Sequence, residues 1–114
     1  MCRPLIYFKQ LLLIIAFVVV VVVPNAQSAL RIMPLGDSIT QGEGIPGGYR
    51  KPLYETLSQH NYTIEFVGTK DSNSFSSFDH HEGHGGWNIA NISSHIAGFL
   101  DQIEDPDIIL LHSK

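Results

Sequence analysis

The chain alternates short apolar runs with amphipathic stretches, and the periods switch between those of strands and those of helices. Leu30 to Leu35 is apolar and of strand length. Tyr49 to His60 places Tyr49, Leu53 and Leu57 at four-residue spacing, which predicts a helix. Pro52 falls in its first turn, where a missing N–H is tolerated, and Asn61 is its stop. Thr63 to Val67 is β-branched and aromatic and predicts a second strand, closed by Gly68. Lys70 to Gly86 is polar, with serine, histidine and glycine, and reads as one long loop. From Asn88 to Ile103 the residues Ile89, Ile92, Ile96, Leu100 and Ile103 recur along one face, predicting a second helix that Asp105-Pro106 breaks. Ile108 to Leu111 is apolar without alternation, the pattern of a parallel strand covered on both faces. The order β-α-β-loop-α-β points to the α/β class, with parallel strands joined by helical crossovers. A small α+β domain satisfies the same periodicities.

The first 28 residues belong to a different pattern. Met1 to Gln10 carries Arg3 and Lys9 and no acid, and Leu11 to Val23 is an unbroken apolar run of 13 residues. Pro24-Asn25 ends the run, and Ala26-Gln27-Ser28 offers small residues at the two positions a signal peptidase reads. This is the layout of a secretory signal peptide cleaved after Ser28. The run is short of the roughly 20 residues a membrane-spanning helix needs. The chain thus divides into a signal peptide, residues 1–28, and one small domain, residues 29–114, expected to be secreted and to keep no stable membrane association.

Composition narrows the partners. Residues 29–114 hold five basic residues against all 11 acids, a formal net charge of −6 with histidines neutral. Such a surface disfavours nucleic acid and anionic membrane. The one cysteine, Cys2, lies in the signal segment, so the domain has no disulfide and relies on its core. Two sequons, Asn61-Tyr62-Thr63 and Asn91-Ile92-Ser93, mark candidate N-glycan sites and favour exposure of both asparagines.

The candidate chemistry starts at Gly36-Asp37-Ser38, where the first strand ends. Glycine permits a sharp turn there, and Asp37 and Ser38 are suited to starting a helical turn. A serine at the carboxyl end of a strand stands where open α/β sheets bind ligands. It is placed to act as a nucleophile, with backbone N–H groups nearby to receive an oxyanion. A plain helix cap uses the same three residues. Further on, His80, His81 and His84 with Glu82 resemble a zinc ligand set, but Gly83, Gly85 and Gly86 oppose a regular ligand face. No metal and no cofactor is expected.

The longer string Arg31-Ile32-Met33-Pro34-Leu35-Gly36-Asp37-Ser38-Ile39-Thr40-Gln41-Gly42 closely resembles the first block of the GDSL-type SGNH hydrolases. His81-Glu82-Gly83-His84-Gly85-Gly86-Trp87 is similar to that family's second block, and Pro106 to His112 to the strand that leads to its third. Gly48-Tyr49-Arg50 and Phe66-Val67-Gly68 add to the match, which is nearest to secreted carbohydrate esterases of the acetyl-xylan type. The resemblance implies a three-layer α/β/α domain with a parallel sheet, of which this chain would hold the amino-terminal half. Three of five strands would be present, the first between the other two.

It also implies site roles. Ser38 would be the nucleophile, the N–H groups of Ser38 and Gly86 the oxyanion donors, with Gly85 the neighbour open to confusion. Asp37 would orient the serine turn. Asp107 would lie at the amino end of its strand and His112 at the carboxyl end, neither serving as catalytic partner. The substrate would be an acetylated polysaccharide or another small ester. The third-block Gly-x-Asn-Asp and the last-block Asp-x-x-His have no match in these 114 residues. The chain is therefore expected to be a truncated esterase that lacks the third-block asparagine and the catalytic histidine and aspartate. Loss of the base costs about four to six orders of magnitude in turnover. The competing expectation is a short secreted glycan-binding protein that uses Tyr49, Phe78 and Trp87.

Overall fold

The computed structural model describes residues 19–24, 27–72 and 74–114. Most of the segment assigned to a signal peptide, Cys2 included, lies outside the described residues. Within it Val19 to Val23 are exposed. Among the described residues no helix is long and apolar enough to cross a membrane.

The elements run β1 (Leu30–Gly36), α1 (Ser38–Gln41), α2 (Arg50–Gln59), β2 (Ile64–Phe66), β3 (Lys70–Asp71), β4 (His80–Gly83), α3 (Ile89–Leu100) and β5 (Ile108–His112). β1 is the centre of the sheet. On one side it pairs in parallel with β5 through five residues, from Ile32↔Ile108 to Gly36↔His112. On the other it pairs in parallel first with β2, Leu30↔Ile64 to Ile32↔Phe66, and then with β4, Leu35↔Glu82 and Gly36↔Gly83. β3 adds to β4 antiparallel.

The placing of β2 and β4 along β1 explains Pro34, a residue that central strands ordinarily exclude. Leu30 N–H donates to Thr63 and the Ile32 and Gly36 carbonyls accept from Val67 and His84, so the even-numbered backbone groups of β1 face β2 and β4. Pro34 stands where that side passes from one strand to the other. Its missing N–H therefore falls in a gap of the ladder. Gly36 is fixed by close approach, because a Cβ there would come 2.0 Å from the His112 carbonyl oxygen.

Side chains alternate across β1 and build two cores. Met33 and Leu35 meet Val67 and Ile92 on the α3 face, with Trp87, Ile96, Leu100 and Ile103 packed around them. Ile32 meets Ile64 and Phe66 on the α2 face, with Leu53, Tyr54, Leu57, Phe75 and Leu110. The result is helix on sheet on helix, the α/β/α architecture expected.

Several expectations need correction. The stretch from Lys70 to Gly86 is not one loop: it contains β3 and β4, so the three strands foreseen are joined by two short ones. β4 escaped the apolar pattern because its residues are buried polar groups held by hydrogen bonds. Lys70 Nζ donates to the Gly83 carbonyl at 2.6 Å, and Glu82 Oε1 accepts from the Thr69 N–H. α3 stops at Leu100 rather than Ile103, and Ile89 is exposed rather than part of the buried stripe. Asn88 caps α3 with a reciprocal capping box to Asn91. Asn61 closes α2 in the left-handed region, φ 63°, and both sequon asparagines are exposed.

Candidate active site

The turn after β1 is built by Asp37. Its Oδ1 accepts the Ile39 N–H at 3.0 Å and its backbone carbonyl accepts the Gln41 N–H at 3.0 Å, which makes it the N-cap of α1. The cap and the nucleophile candidate are thus adjacent residues with separate tasks. Ser38 is the first residue of α1, half-buried at the carboxyl end of the central strand. At that helix position the backbone N–H has no acceptor within the helix. An open pocket of about 470 Å³ lies beside Ser38, lined also by Ile39, Gly42, Glu43, Ile45 and Tyr49.

The Asp37 carboxyl is held below the usual carboxylate range, first by the Ile39 N–H, then by the Lys114 N–H and the charges of His112 and Lys114. The Asp37 side chain is almost fully buried. His112, at the carboxyl end of β5, brings Nδ1 to 3.7 Å from Asp37 Oδ1, beyond hydrogen-bond length. Asp107 sits at the opposite end of that strand, its Oδ2 accepting the Arg31 N–H at 2.8 Å. The carboxylate and imidazole of these two residues are therefore at opposite ends of β5 and make no pair.

Arg50 braces the serine turn from below. Its side chain is fully buried; Nε donates to the Thr40 carbonyl at 3.1 Å and Nη2 to the Gln41 carbonyl at 3.3 Å. Nη1 pairs with Asp79 Oδ1, also fully buried. Asp79 Oδ2 in turn accepts the Ser74 N–H at 3.2 Å. The two carbonyls at the end of α1 are thereby fixed by a charge that is itself neutralised. Burial lowers the Arg50 pKa.

The second turn of the site follows β4. Gly86 has φ 79°, a conformation that favours glycine, and Trp87 N–H returns to the His84 carbonyl at 3.2 Å. Gly85 N–H donates to Gln41 Oε1 at 2.7 Å. Of the two glycines, Gly85 has its donor taken, whereas Gly86 makes no such bond among the described residues.

The histidines do not converge. His81 Nδ1 accepts the Gly83 N–H at 3.0 Å, so the neutral ring carries its proton on Nε2 and donates it to Ser72 Oγ at 2.7 Å. Burial, with the nearby charges of Arg50 and Lys70, pushes the His81 pKa down to about 3. This serine–histidine pair has the proton on the wrong nitrogen for a general base. His84 Nε2 bonds Glu82 Oε2 at 2.8 Å and its ring stacks on Trp87 at 4.0 Å. Among the described residues no group of three histidine, cysteine, aspartate or glutamate side chains is placed to hold a metal. Trp87 has His84 stacked on it and His95 tilted against it at 4.7 Å, so its ring is engaged inside the protein.

Sequence reasoning singled out Ser38, Asp37 and Gly86, and the structure brings the turns that carry them side by side. It passed over Gln41, Arg50 and Asp79 as structural parts of the site. An arginine two residues after Gly48 was the available signal for Arg50. Asp79 and the Gln41 side-chain role had none, since each depends on a partner distant in sequence.

No family model matches the chain. A multidomain esterase of Ruminococcus flavefaciens is 38% identical over 76% of this chain and 14% of that protein. Among solved structures, the Clostridium thermocellum family 3 carbohydrate esterase superposes with a TM-score of 0.63 at 39% identity, over 74% of this chain and 43% of that one. The chain thus spans less than half the length of each.

Proposed function

We propose, from the premise that this chain is part of a carbohydrate-esterase domain of the SGNH type, that it carries the nucleophile half of a serine esterase acting on acetyl groups of a polysaccharide. The observation that carries the proposal is the position of Ser38. It opens α1 at the carboxyl end of the central strand, beside a pocket, in the same short helix whose Gln41 is bonded to the turn that holds Gly86. Ser38 Oγ attacks the ester carbonyl, and the oxygen that gains the charge is received by the N–H groups of Ser38 and Gly86. The alcohol leaves, and water then releases acetate from the acyl-serine. Asp37 holds the serine turn by its bond to Ile39.

The step that these residues do not supply is proton removal from Ser38. His81 is a donor toward Ser72, and neither His112 nor Asp107 forms a base with its orienting acid. We therefore propose that residues 29–114 by themselves hydrolyse esters slowly or not at all, and that the full chemistry needs an Asp-x-x-His and a third-block asparagine. Secretion after cleavage near Ala29, with glycans on Asn61 and Asn91, belongs to the same proposal. Amino-terminal sequencing of exported material tests the cleavage.

The esterase reading is tested in a chimaera. Residues 29–114 replace the matching segment of the Clostridium thermocellum enzyme, whose 39% identity makes the exchange practicable. The chimaera is expected to hydrolyse p-nitrophenyl acetate, and Ser38→Ala is expected to reduce its turnover to background. Activity within tenfold of the parent in Ser38→Ala would remove Ser38 from the mechanism.

A further inference from the structure

We infer that Gln41 is a positioning residue that sets the distance between the nucleophile turn and the oxyanion turn; this rests on the esterase reading above. Three observations meet at Gln41. It ends the same four-residue helix that Ser38 begins. Its backbone carbonyl is held by the buried Arg50 guanidinium at 3.3 Å, and its N–H by the Asp37 carbonyl at 3.0 Å. Its side-chain oxygen accepts the Gly85 N–H at 2.7 Å.

The consequence is geometric. β4 and α1 are already in close contact, since a Cβ on Gly83 would come 2.2 Å from the Gln41 nitrogen. Beyond Gly83, however, the chain leaves the sheet and both Gly85 and Gly86 are exposed. The bond from Gln41 is the described tie between that exposed turn and α1. It takes up the Gly85 donor, so that of the glycine pair only the Gly86 N–H is left to face an incoming charge. It also makes the Gly86 donor and Ser38 parts of one rigid unit, because Gln41 and Ser38 are three residues apart in one turn. An oxyanion donor contributes only when it is aimed at the place where charge develops. A misplacement of about 1 Å at such a site costs up to a hundredfold in rate.

Gln41→Met keeps length and removes the acceptor, and Gln41→Glu keeps an acceptor oxygen. Deuterium exchange of the full chain at low micromolar concentration, read by mass spectrometry with fragmentation to single residues, measures the tie. The Gly85 amide is expected to exchange about tenfold faster in Gln41→Met and at the parent rate in Gln41→Glu. The Trp87 amide, bonded within its own turn, serves as the control and is expected to be unchanged in both. In the chimaera, Gln41→Met is expected to lower kcat about tenfold with KM within twofold, and Gln41→Glu to restore it. Unchanged Gly85 exchange in Gln41→Met overturns the inference, as does a lost tie with unchanged kcat. A chimaera without Ser38-dependent activity overturns the esterase reading instead, and the exchange arm then decides the tie by itself.

Discussion

At the scale of single residues, the site is held by buried polar groups whose partners lie far off in sequence. The Arg50–Asp79 pair is the sharpest case, with both side chains fully buried. Removing one member leaves an uncompensated charge in the core, which costs about 3–5 kcal/mol. Arg50→Met is therefore expected to lower the unfolding free energy from urea titration by that amount, and Arg50→Met with Asp79→Leu to recover much of it. His81 makes the stability depend on pH. Its pKa is about 3 in the fold and near 6.5 when unfolded, so between these values the unfolded chain binds the extra proton. Stability is fully present above about pH 6.5 and falls by about 1.4 kcal/mol per pH unit below it. Urea titrations from pH 7.5 to 5 check this, with His81→Gln expected to flatten the slope. The turn at Gly36-Asp37-Ser38 was legible in the sequence because a contiguous string carries it. Arg50 and Asp79 were not, because each alone reads as a solvated charge and only closure of the intervening chain brings them together.

At the scale of elements, periodicity found what apolar spacing controls. β1, β2, β5, α2 and α3 all appeared within a few residues of their places. β4 did not, since His80-His81-Glu82-Gly83 is buried through hydrogen bonds and ion pairs rather than through apolar side chains. The end of α3 was overrun for a related reason. Ile103 packs on the core after the helix has ended, so the spacing continued where the backbone did not. The start of α3 rests on the box between Asn88 and Asn91, with Asn88 Oδ1 accepting from Ala90 and Asn91 at 3.0 and 3.1 Å. Asn88→Ala is expected to destabilise the fold by about 1 kcal/mol, read as a lowered thermal midpoint.

At the scale of the whole molecule, the sheet has a covered side and an open one. β5 pairs with β1 along one edge; among the described residues no strand lies along its other edge, and Ile108, Ile109 and Leu111 remain 41%, 42% and 54% exposed. An apolar edge of this kind favours strand-to-strand association. Residues 29–114 are expected to grow in apparent mass with concentration by light scattering, and Leu111→Lys to suppress the growth. A constant monomer mass in the parent would count against an adhesive edge. The same strand imposes a delay on biosynthesis. Arg31 and Asp107 are 76 residues apart, and β1 cannot acquire that neighbour until β5 has been made. At about 5–20 residues per second, the ribosome leaves the central strand half-paired for about 4–15 seconds.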